Sequence, residues 1–217
     1  MKKCIIIANG QPPKKSVVRF LMNSGFNTIF CADGGANTAL KLGIVPHYII
    51  GDFDSISSEA LKYFEGKSTF IKIKRQNDTD VEKCLKYAVK KKFTHAIILG
   101  GTGDRLDHSF CNLGIVLKFS DRISIRMIHQ KSLLAVYSGQ TSFKTIIDEE
   151  ISIYGFDSKT KITSNGLKYT LTNTPLQFGI KESTSNVAVK SQIKLDIRKG
   201  KVFVIRNYEL LKKHGLI

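Results

Sequence analysis

Short runs of consecutive apolar residues constrain the fold of the first 130 residues most strongly. Ile5-Ile6-Ile7 and Ala96-Ile97-Ile98-Leu99 are apolar without alternation, which is typical of parallel strands that are covered on both faces. Amphipathic segments lie between such runs, and the clearest begins after Thr79, which has the capping-box spacing to Glu82. Strands that alternate with helices in this way predict an α/β domain with a doubly wound, mostly parallel sheet.

Further along the chain the pattern changes to short strands separated by turn residues. The predicted strands of the first domain, residues 1–130, are 4–8, 28–32, 48–50, 69–73, 95–99 and 123–128. Those of the second domain, residues 131–217, are 134–137, 151–154, 167–171, 187–189, 193–197 and 202–205, with turns at 164–166, 178–179 and 198–200. The second domain is therefore predicted to be a small all-β sandwich or barrel.

The chain is strongly basic, which raises the question of a nucleic-acid partner. It has 217 residues, with 34 Lys and Arg against 18 Asp and Glu, and a formal net charge of +16. The densest basic run, Lys90-Lys91-Lys92, closes a predicted helix, where cations complement the negative end of the helix dipole. Aromatic residues do not interleave with that run as a base-stacking surface requires. We therefore expect no nucleic-acid partner and a positive field that attracts anionic nucleotides.

The cysteines and the length of the apolar stretches bear on location. Cys4, Cys31, Cys84 and Cys111 are far apart and lack the paired spacing of a metal clip or a disulfide framework. No apolar stretch approaches the roughly 18 residues of a membrane span. We expect a cytoplasmic protein that does not contact a membrane.

Acidic residues are concentrated in the loops that follow four predicted strands. They are Asp33, Asp52 with Asp54, Asp78 with Asp80, and Asp104 with Asp107. Ligands of open α/β sheets bind beyond the carboxyl ends of the strands, so these loops are expected to converge. Carboxylates suit Mg²⁺, nearby glycines let backbone N–H groups approach a polyphosphate, and Arg105 can neutralise a phosphoryl group. This combination predicts metal-assisted phosphoryl or pyrophosphoryl transfer.

Each of these residues also has a simpler interpretation. Asp33 before two glycines could be a turn residue, and Asp52-Phe53-Asp54 could cap the next helix. Thr79 is expected to be a helix cap in any case, and Arg105 could simply pair with Asp107. Two other classes stay open on the residues alone. One is a phosphatase that uses the Asp-x-Asp of 52–54 as nucleophile and acid, and the other is a basic nucleic-acid-binding module.

The motifs taken together resemble the thiamine pyrophosphokinase family, also called thiamine diphosphokinase. The resemblance covers essentially the whole chain, and Gly-Asp-Phe-Asp-Ser is its most specific motif. The matching segments are Asp33-Gly34-Gly35-Ala36-Asn37, Gly51-Asp52-Phe53-Asp54-Ser55, Gln76 with Thr79-Asp80, Arg105-Leu106-Asp107-His108, Gly166-Leu167-Lys168-Tyr169 and Ser183-Thr184-Ser185-Asn186.

The resemblance implies transfer of a pyrophosphoryl group from ATP to thiamine, giving thiamine diphosphate and AMP with the help of Mg²⁺. It also implies a catalytic α/β domain that binds ATP and Mg²⁺, and a β domain that binds thiamine. The family pattern further implies a homodimer in which the two subunits share the active site.

The resemblance assigns roles to individual residues. It implies metal ligands at Asp52, Asp54 and Asp80, and catalytic roles for Asp54, Asp80 and Arg105. The residues implied to contact ATP are Asp33, Gly34, Gly35, Asn37, Gln76, Thr79, Arg105 and Asp107, with Asn9 and Gln11 nearby. Those implied to contact thiamine are Ser183, Ser185 and Asn186. Arg75, Asn77 and Asp104 depart from the family pattern.

Overall fold

A computed structural model describes residues 1–74 and 77–217, and it divides the chain into two compact units, Met1–His129 and Gln130–Ile217. The first unit contains a sheet whose six strands all run parallel. These strands are β1 (Lys3–Ile7), β2 (Thr28–Ala32), β3 (Tyr48–Gly51), β4 (Thr69–Lys72), β5 (His95–Leu99) and β6 (Ser124–His129). The mostly parallel α/β fold predicted from the sequence is thereby confirmed.

Five helices of the first unit connect these strands within the described residues. They are α1 (Lys15–Asn23), α2 (Gly35–Leu42), α3 (Ser58–Phe64), α4 (Asp80–Lys90) and α5 (Leu106–Phe119). Helix α4 begins where the sequence predicts, because the side chain of Thr79 accepts a hydrogen bond from the backbone N–H of Glu82 at 3.3 Å. Its buried residues include Val81, Cys84 and Leu85, which pack toward the sheet.

The strand order of the first sheet is β4-β3-β2-β1-β5-β6. The chain first builds outward from β1 to β4 and then returns to place β5 on the other side of β1. The loops after β1 and β5 therefore leave the sheet in opposite directions, which makes this pair the topological switch point where α/β folds bind ligands. Ile5, Ile6, Ile7, Ile97 and Ile98 are fully buried, as expected for strands covered on both faces.

The second unit is a β-rich fold built around one long strand. Its elements are β7 (Ser132–Lys144), β8 (Glu150–Tyr154), β9 (Lys161–Asn165), β10 (Thr174–Pro175), β11 (Ser183–Val187), β12 (Gln192–Asn207) and α6 (Tyr208–Lys213). Strand β12 pairs with β7 along its whole length on one side. On the other side its first half pairs with β9 and its second half with β8. The core between these strands includes Ile151, Ile153, Ile162, Ile193 and Val204.

The structure differs from the predictions for the second unit at several elements. The strand predicted at 187–189 overlaps β11 only at Val187, and β9 (Lys161–Asn165) extends into the turn predicted at 164–166. Residues 193–197 and 202–205 belong to the single strand β12, and the predicted turn at 198–200 is a bulge that faces Gly139 and Ser138. The strand predicted at 167–171 is wrong, because only Leu167 forms an isolated bridge there, to Ala188.

Helix α6 is an addition to the predicted all-β unit. Its first turn is capped by Asn207, whose side chain accepts a hydrogen bond from the backbone N–H of Leu210 at 3.1 Å. None of the helices that the structure describes is long and apolar enough to span a bilayer.

Candidate active site

Three carboxylates from three different loops meet at the carboxyl edge of the parallel sheet. Asp33 follows β2, Asp52 follows β3 and Asp80 is the first residue of α4, yet one oxygen of each lies within 4.8 Å of the others. Asp33 is buried, whereas Asp52 and Asp80 are partly exposed. We call these three residues the carboxylate cluster. Three of the four acidic loops predicted from the sequence thus each place one carboxylate in the cluster, and the loop with Asp104 and Asp107 does not.

Asp33 is the deepest member of the cluster. Its Oδ2 accepts a hydrogen bond from the backbone N–H of Ser55 at 3.2 Å. Its Oδ1 is buried and has no hydrogen-bond partner among the described residues. A buried carboxylate oxygen without a donor is costly, so a cation facing it would be stabilising. Burial raises the pKa of Asp33 to about 7, and the carboxylates of Asp54 and Asp80 add to this against the Ser55 hydrogen bond.

Backbone geometry brings Asp33 and the loop after β3 close together. Asp33 itself has a φ of 41° and Phe53 a φ of 71°, which is the left-handed region that bulky residues rarely adopt. Gly51, the last residue of β3, has to be glycine for the loop after β3 to approach Asp33, because a Cβ atom there would lie 2.7 Å from the Cβ of Asp33. The Asp-x-Asp segment therefore passes directly over Asp33.

Asp54 lies beside the cluster and interacts with Asp33. The Ser55 hydroxyl donates a hydrogen bond to Asp54 Oδ1 at 2.8 Å, and this contact, followed by the neighbouring Asp33, lowers the pKa of Asp54. The three acids implied as metal ligands, Asp52, Asp54 and Asp80, thus lie at one site. The tightest set of converging oxygens, however, contains Asp33 in place of Asp54.

A buried lysine that sequence reasoning missed contacts the same acids. Lys83 of α4 is 3% exposed, and its Nζ donates a hydrogen bond to Asp80 Oδ1 at 2.8 Å and lies 3.6 Å from Asp52 Oδ2. Burial by itself lowers the pKa of Lys83, but Asp80 and Asp52 outweigh it and the net shift is upward, so the ammonium stays charged. The available signal was a lysine one helical turn after a predicted ligand.

The pKa of Asp80 responds to two opposing influences. Burial raises it, and the charges of Asp52 and Asp54 act in the same direction. The hydrogen bond and charge of Lys83 lower it, but the net shift is upward. Asp80 also stands in the first turn of α4, where the helix dipole favours a negative charge.

A cavity of about 510 Å³ opens beside Asp80 at the switch point between β1 and β5. Its lining is rich in glycine and includes Gly10, Gly34, Gly100, Gly101 and Gly103. Two lining loops are joined through the main chain: the Gly10 N–H donates to the Gly100 carbonyl at 2.8 Å, and the Gln11 N–H to the Thr102 carbonyl at 2.7 Å. A Cβ atom at Gly10 would lie 2.4 Å from the Thr102 carbonyl oxygen, so only glycine allows the two loops to meet. The N–H groups of Gly10 and Gln11 are used in these contacts, which hold the loops after β1 and β5 together beside the cavity.

Side chains of α5 hold the loop after β5 in place. Asn112 donates a hydrogen bond to the Gly101 carbonyl at 2.7 Å and is buried. The Ser109 hydroxyl accepts from the Gly103 N–H at 3.2 Å and donates to the Arg105 carbonyl at 3.0 Å. Sequence reasoning did not single out these two residues, because a polar side chain that binds a local carbonyl leaves no distinctive spacing.

Residues predicted to contact ATP fall into two groups. Gly34, Thr79 and Arg105 line the cavity, together with Asn9 and Gln11. The second group does not line the cavity and consists of Asp33, Gly35, Asn37 and Asp107.

Gly35 and Asn37 support the site from helix α2. A Cβ atom at Gly35 would lie 2.1 Å from the Ile7 carbonyl oxygen, so the start of α2 touches the end of β1. The Asn37 amide donates to the Ser55 carbonyl at 2.9 Å and accepts from the Ser57 N–H at 2.8 Å. Asn37 therefore fixes the loop that carries Asp54. Gln76, also predicted here, lies outside the described residues, as does Arg75.

Arg105 and Asp107 form an exposed ion pair at the rim of the cavity. Both side chains are more than 60% exposed, and the Arg105 Nε donates to Asp107 Oδ1 at 3.2 Å. The contact raises the pKa of Arg105 and lowers that of Asp107. The simpler interpretation offered for this pair is therefore correct for the structure, and Arg105 is also one of the residues that line the cavity.

The predicted thiamine contacts lie on β11 of the second unit. Asn186 is buried and uses its amide to bind both the N–H and the carbonyl of Tyr169, at 3.0 and 2.7 Å, and the Ser183 hydroxyl at 3.0 Å. Ser185 is exposed, has a φ of 50° and donates its N–H to the Ser152 hydroxyl at 3.0 Å. The ring of Tyr169 is 63% exposed. Asn186 thus anchors the segment that presents Tyr169.

An acidic cluster beside a glycine-rich cavity, at the switch point of a doubly wound sheet, suits phosphoryl and pyrophosphoryl transfer, and we place the chain in that class of transferases. Comparison with known families narrows this further. The model of the thiamin pyrophosphokinase catalytic domain matches residues 21–128, and that of the thiamin pyrophosphokinase vitamin B1 binding domain matches residues 144–202.

Individual proteins agree with the family models. The thiamin pyrophosphokinase 1 of Caenorhabditis elegans is 30% identical over 189 residues, which cover 80% of this chain and 76% of that protein. The crystal structure of the thiamine pyrophosphokinase from Bacillus subtilis superposes with a TM-score of 0.80 at 27% identity, over 94% of this chain and 99% of that one. The yeast thiamin pyrophosphokinase structure, at 18% identity and a TM-score of 0.81 over 98% of this chain and 88% of that one, shares the fold.

The chain therefore belongs to the thiamin pyrophosphokinase family, and its activity is the synthesis of thiamine diphosphate from thiamine and ATP. The phosphatase and nucleic-acid-binding alternatives are correspondingly disfavoured.

Proposed function

We propose that the chain transfers a pyrophosphoryl group from Mg²⁺-bound ATP to the hydroxyl of thiamine, releasing AMP. The observation that carries this proposal is the convergence of Asp33, Asp52 and Asp80 within 4.8 Å, beside the cavity at the switch point. We assign ATP and the metal to the first unit and thiamine to the second.

The residues at the cluster fit a magnesium ion. The donors are all carboxylate oxygens, which Mg²⁺ prefers, and the buried Oδ1 of Asp33 has no other partner among the described residues. Asp52, Asp54 and Asp80 would hold the ion, with Asp33 completing the set. When bound, Mg²⁺ would neutralise charge on the phosphate oxygens and orient the reacting groups.

Other residues of the first unit bind and orient ATP in this proposal. The guanidinium of Arg105 neutralises charge that develops on the phosphates, and Asp107 holds that guanidinium in place. Gly34 lines the cavity and leaves room for the phosphates, Thr79 fixes the start of α4, and Gln76 is assigned a further contact to ATP. Gly35 and Asn37 act from behind, by fixing the loops.

Thiamine recognition is assigned to the segment around β11. Ser183 and Ser185 offer hydroxyls for the polar edge of the ligand, and Asn186 keeps Tyr169 in position. An exposed tyrosine ring can stack on an aromatic heterocycle and attracts a cationic one. Tyr169 is therefore the aromatic contact that we propose for the thiamine rings.

We further propose a homodimer with a shared active site, a cytoplasmic location and no nucleic-acid partner. All four cysteines, which lie within the described residues, are unpaired thiols, as expected in a reducing compartment. The net charge of +16 suits the attraction of nucleotides, and its even spread over the two halves does not mark a nucleic-acid arm.

The direct test is to incubate the purified protein with MgATP and thiamine and to identify the products. We expect AMP and thiamine diphosphate in equal amounts, and no product when EDTA removes the metal. Formation of ADP or of inorganic phosphate in place of AMP would contradict pyrophosphoryl transfer, and a phosphorylated protein trapped by acid would favour the phosphatase alternative.

Two variants test the carboxylates themselves. Asp54→Asn and Asp80→Asn should each lower kcat by about 100-fold or more, because a neutral amide holds Mg²⁺ less well and less of the charge on the reacting phosphates is then neutralised. Asp121→Asn, an exposed acid outside the site, is the matched control and should keep wild-type kcat. Near-normal turnover by both site variants would contradict the metal assignment.

A further inference from the structure

Lys83 is an unusual residue for the position it occupies. Lysine is almost never buried in a protein unless an acid pairs with it, and the side chain of Lys83 is only 3% exposed. A buried ammonium group is stabilised only by the charged and polar groups that it touches, and the Lys83 Nζ touches carboxylates. Those groups belong to the carboxylate cluster.

The ammonium of Lys83 joins two separate loops. Asp52 follows strand β3 and Asp80 opens helix α4, and the Lys83 Nζ lies 3.6 Å from an oxygen of the first and 2.8 Å from an oxygen of the second. The lysine is itself on α4, one turn after Asp80. It therefore ties the loop after β3 to the start of that helix.

The contact of Lys83 with the carboxylates reduces the repulsion between them in a protein without bound metal. Asp33, Asp52, Asp54 and Asp80 crowd into one site, and like charges at such distances repel strongly in a partly buried setting. Among the ion pairs seen between described residues, only those of Lys83 reach the cluster. The ammonium of Lys83 is thus a buried cation that faces several acids. Unlike a metal ion, it is covalently part of the chain and cannot dissociate.

We propose that Lys83 is the built-in counter-ion of the carboxylate cluster, a positioning residue that holds Asp52 and Asp80 together before the metal binds. The inference rests on the proposed Mg²⁺ site and adds a role within it. Lys83 and the metal share the same carboxylate charge, so each reduces what the other gains by binding. The lysine therefore stabilises the metal-free protein and moderates the affinity for Mg²⁺.

A second lysine of the same helix provides a matched control. Lys86 lies about one turn further along α4 and pairs with Asp78 at 2.6 Å and with Glu82 at 3.0 Å. It is also ion-paired and it is on the same helix, but neither partner belongs to the cluster. Replacing either lysine removes one charge and one set of ion pairs, and only Lys83 touches the proposed metal ligands.

The experiment measures thermal unfolding of wild type, Lys83→Met and Lys86→Met over a titration of MgCl₂. Without metal, Lys83→Met should have a lower Tm than wild type. Its Tm should then rise more steeply with MgCl₂, with an apparent Mg²⁺ affinity about tenfold tighter, because the competing charge has gone. Lys86→Met should show the wild-type dependence on MgCl₂ whatever its own Tm.

The outcomes separate this inference from the proposed function. If MgCl₂ changes the Tm of none of the three proteins, the proposed metal site is wrong. If it raises the Tm of wild type and of Lys83→Met to the same extent, or that of the variant less, the metal site stands and the role of Lys83 is overturned. Should Lys83→Met not fold, Lys83→Gln gives the same test, and failure of both to fold in excess MgCl₂ would also overturn the proposal.

Discussion

Two residues at the carboxylate cluster adopt a backbone conformation that is unfavourable for them. Asp33 and Phe53 both have positive φ angles, and for a bulky side chain such as Phe53 this costs of order 1–3 kcal/mol. The ring of Phe53 packs edge-on against Phe70 of β4, with centroids 5.7 Å apart, which helps to hold the conformation. Phe53 lies between Asp52 and Asp54, so its unusual backbone conformation is located within the Asp-x-Asp segment of the site.

A prediction about a single residue concerns His95, which lies at the amino edge of the parallel sheet, opposite the carboxylate cluster. It begins β5, and its register partner on β1 is Lys3. Burial lowers its pKa from the ordinary value of 6.5, and the charges of Lys3 and Arg126 lower it further. The folded state therefore binds a proton at His95 less readily than the unfolded state does.

This linkage has a definite sign. The stabilising contribution of neutral His95 is present above about pH 6.5 and is lost as the pH falls through the lower pKa of the folded state. We expect the Tm of wild type to fall more than that of His95→Gln between about pH 7.5 and about pH 5. Thermal unfolding monitored by circular dichroism measures both, and equal losses of Tm would contradict the assignment.

Site residues were predictable from the sequence where they come directly after a recognisable strand or at the start of a recognisable helix. Asp33, Asp52 and Asp80 each follow an apolar run or open an amphipathic helix, so their convergence follows from topology alone. The spacing of Lys83, one turn after Asp80, could have indicated a contact with that acid, but its burial was not predictable, because a charged residue on a helix is normally solvated. Asn186 was assigned to the ligand, whereas its amide is used to bind the backbone of Tyr169.

At the scale of elements, the parallel strands and α4 agree with the sequence patterns closely. Continuous apolar runs and a capped amphipathic helix depend on local signals, which the chain carries clearly. Strand β12 was harder, because Arg198-Lys199-Gly200 has the composition of a turn. In the structure these residues form a bulge, with Lys199 at a φ of 61°, and the strand continues beyond them.

The close packing of the β12 bulge can be tested by adding one methyl group at Gly200. A Cβ atom at Gly200 would lie 1.9 Å from the Oγ1 of Thr160, a side chain that is 1% exposed and cannot readily move away. Gly200→Ala should therefore destabilise the protein by about 1–3 kcal/mol. Urea unfolding gives the free energy of unfolding.

The same substitution elsewhere serves as the control. Gly114 is an exposed residue within α5, and a Cβ atom there would meet nothing within 4 Å. Gly114→Ala should stabilise the protein by about 0.5–1 kcal/mol, because alanine favours the helix. A neutral Gly200→Ala would mean that the bulge rearranges to admit the methyl group.

At the scale of the whole molecule, charge is the most unusual property. The first 130 residues hold 20 basic and 11 acidic side chains, and the remainder hold 14 and 7, so both halves are positive. A positive field concentrates anions near the protein and is screened by salt. ATP is an anion and thiamine is a cation, so the two substrates should respond to salt differently.

We expect kcat/KM for ATP to fall by roughly threefold or more as NaCl is raised from low salt to about 0.5 M. For thiamine, kcat/KM should stay constant or rise over the same range, which makes it an internal control. Steady-state kinetics with the other substrate saturating measures both values. An equal decline for the two substrates would indicate a general effect of salt on the enzyme.

The contact between the loops after β1 and β5 has a consequence for how this enzyme could be re-engineered. Gly10 and Gly100 bring carbonyl and N–H groups together so closely that no larger residue fits at Gly10. The two loops thus meet through peptide groups, which are the same for every amino acid, and side-chain changes there leave little room for variation. Selection for a different nucleotide donor would have to act through side chains that line the cavity elsewhere, such as Arg105 and those of the first turn of α5.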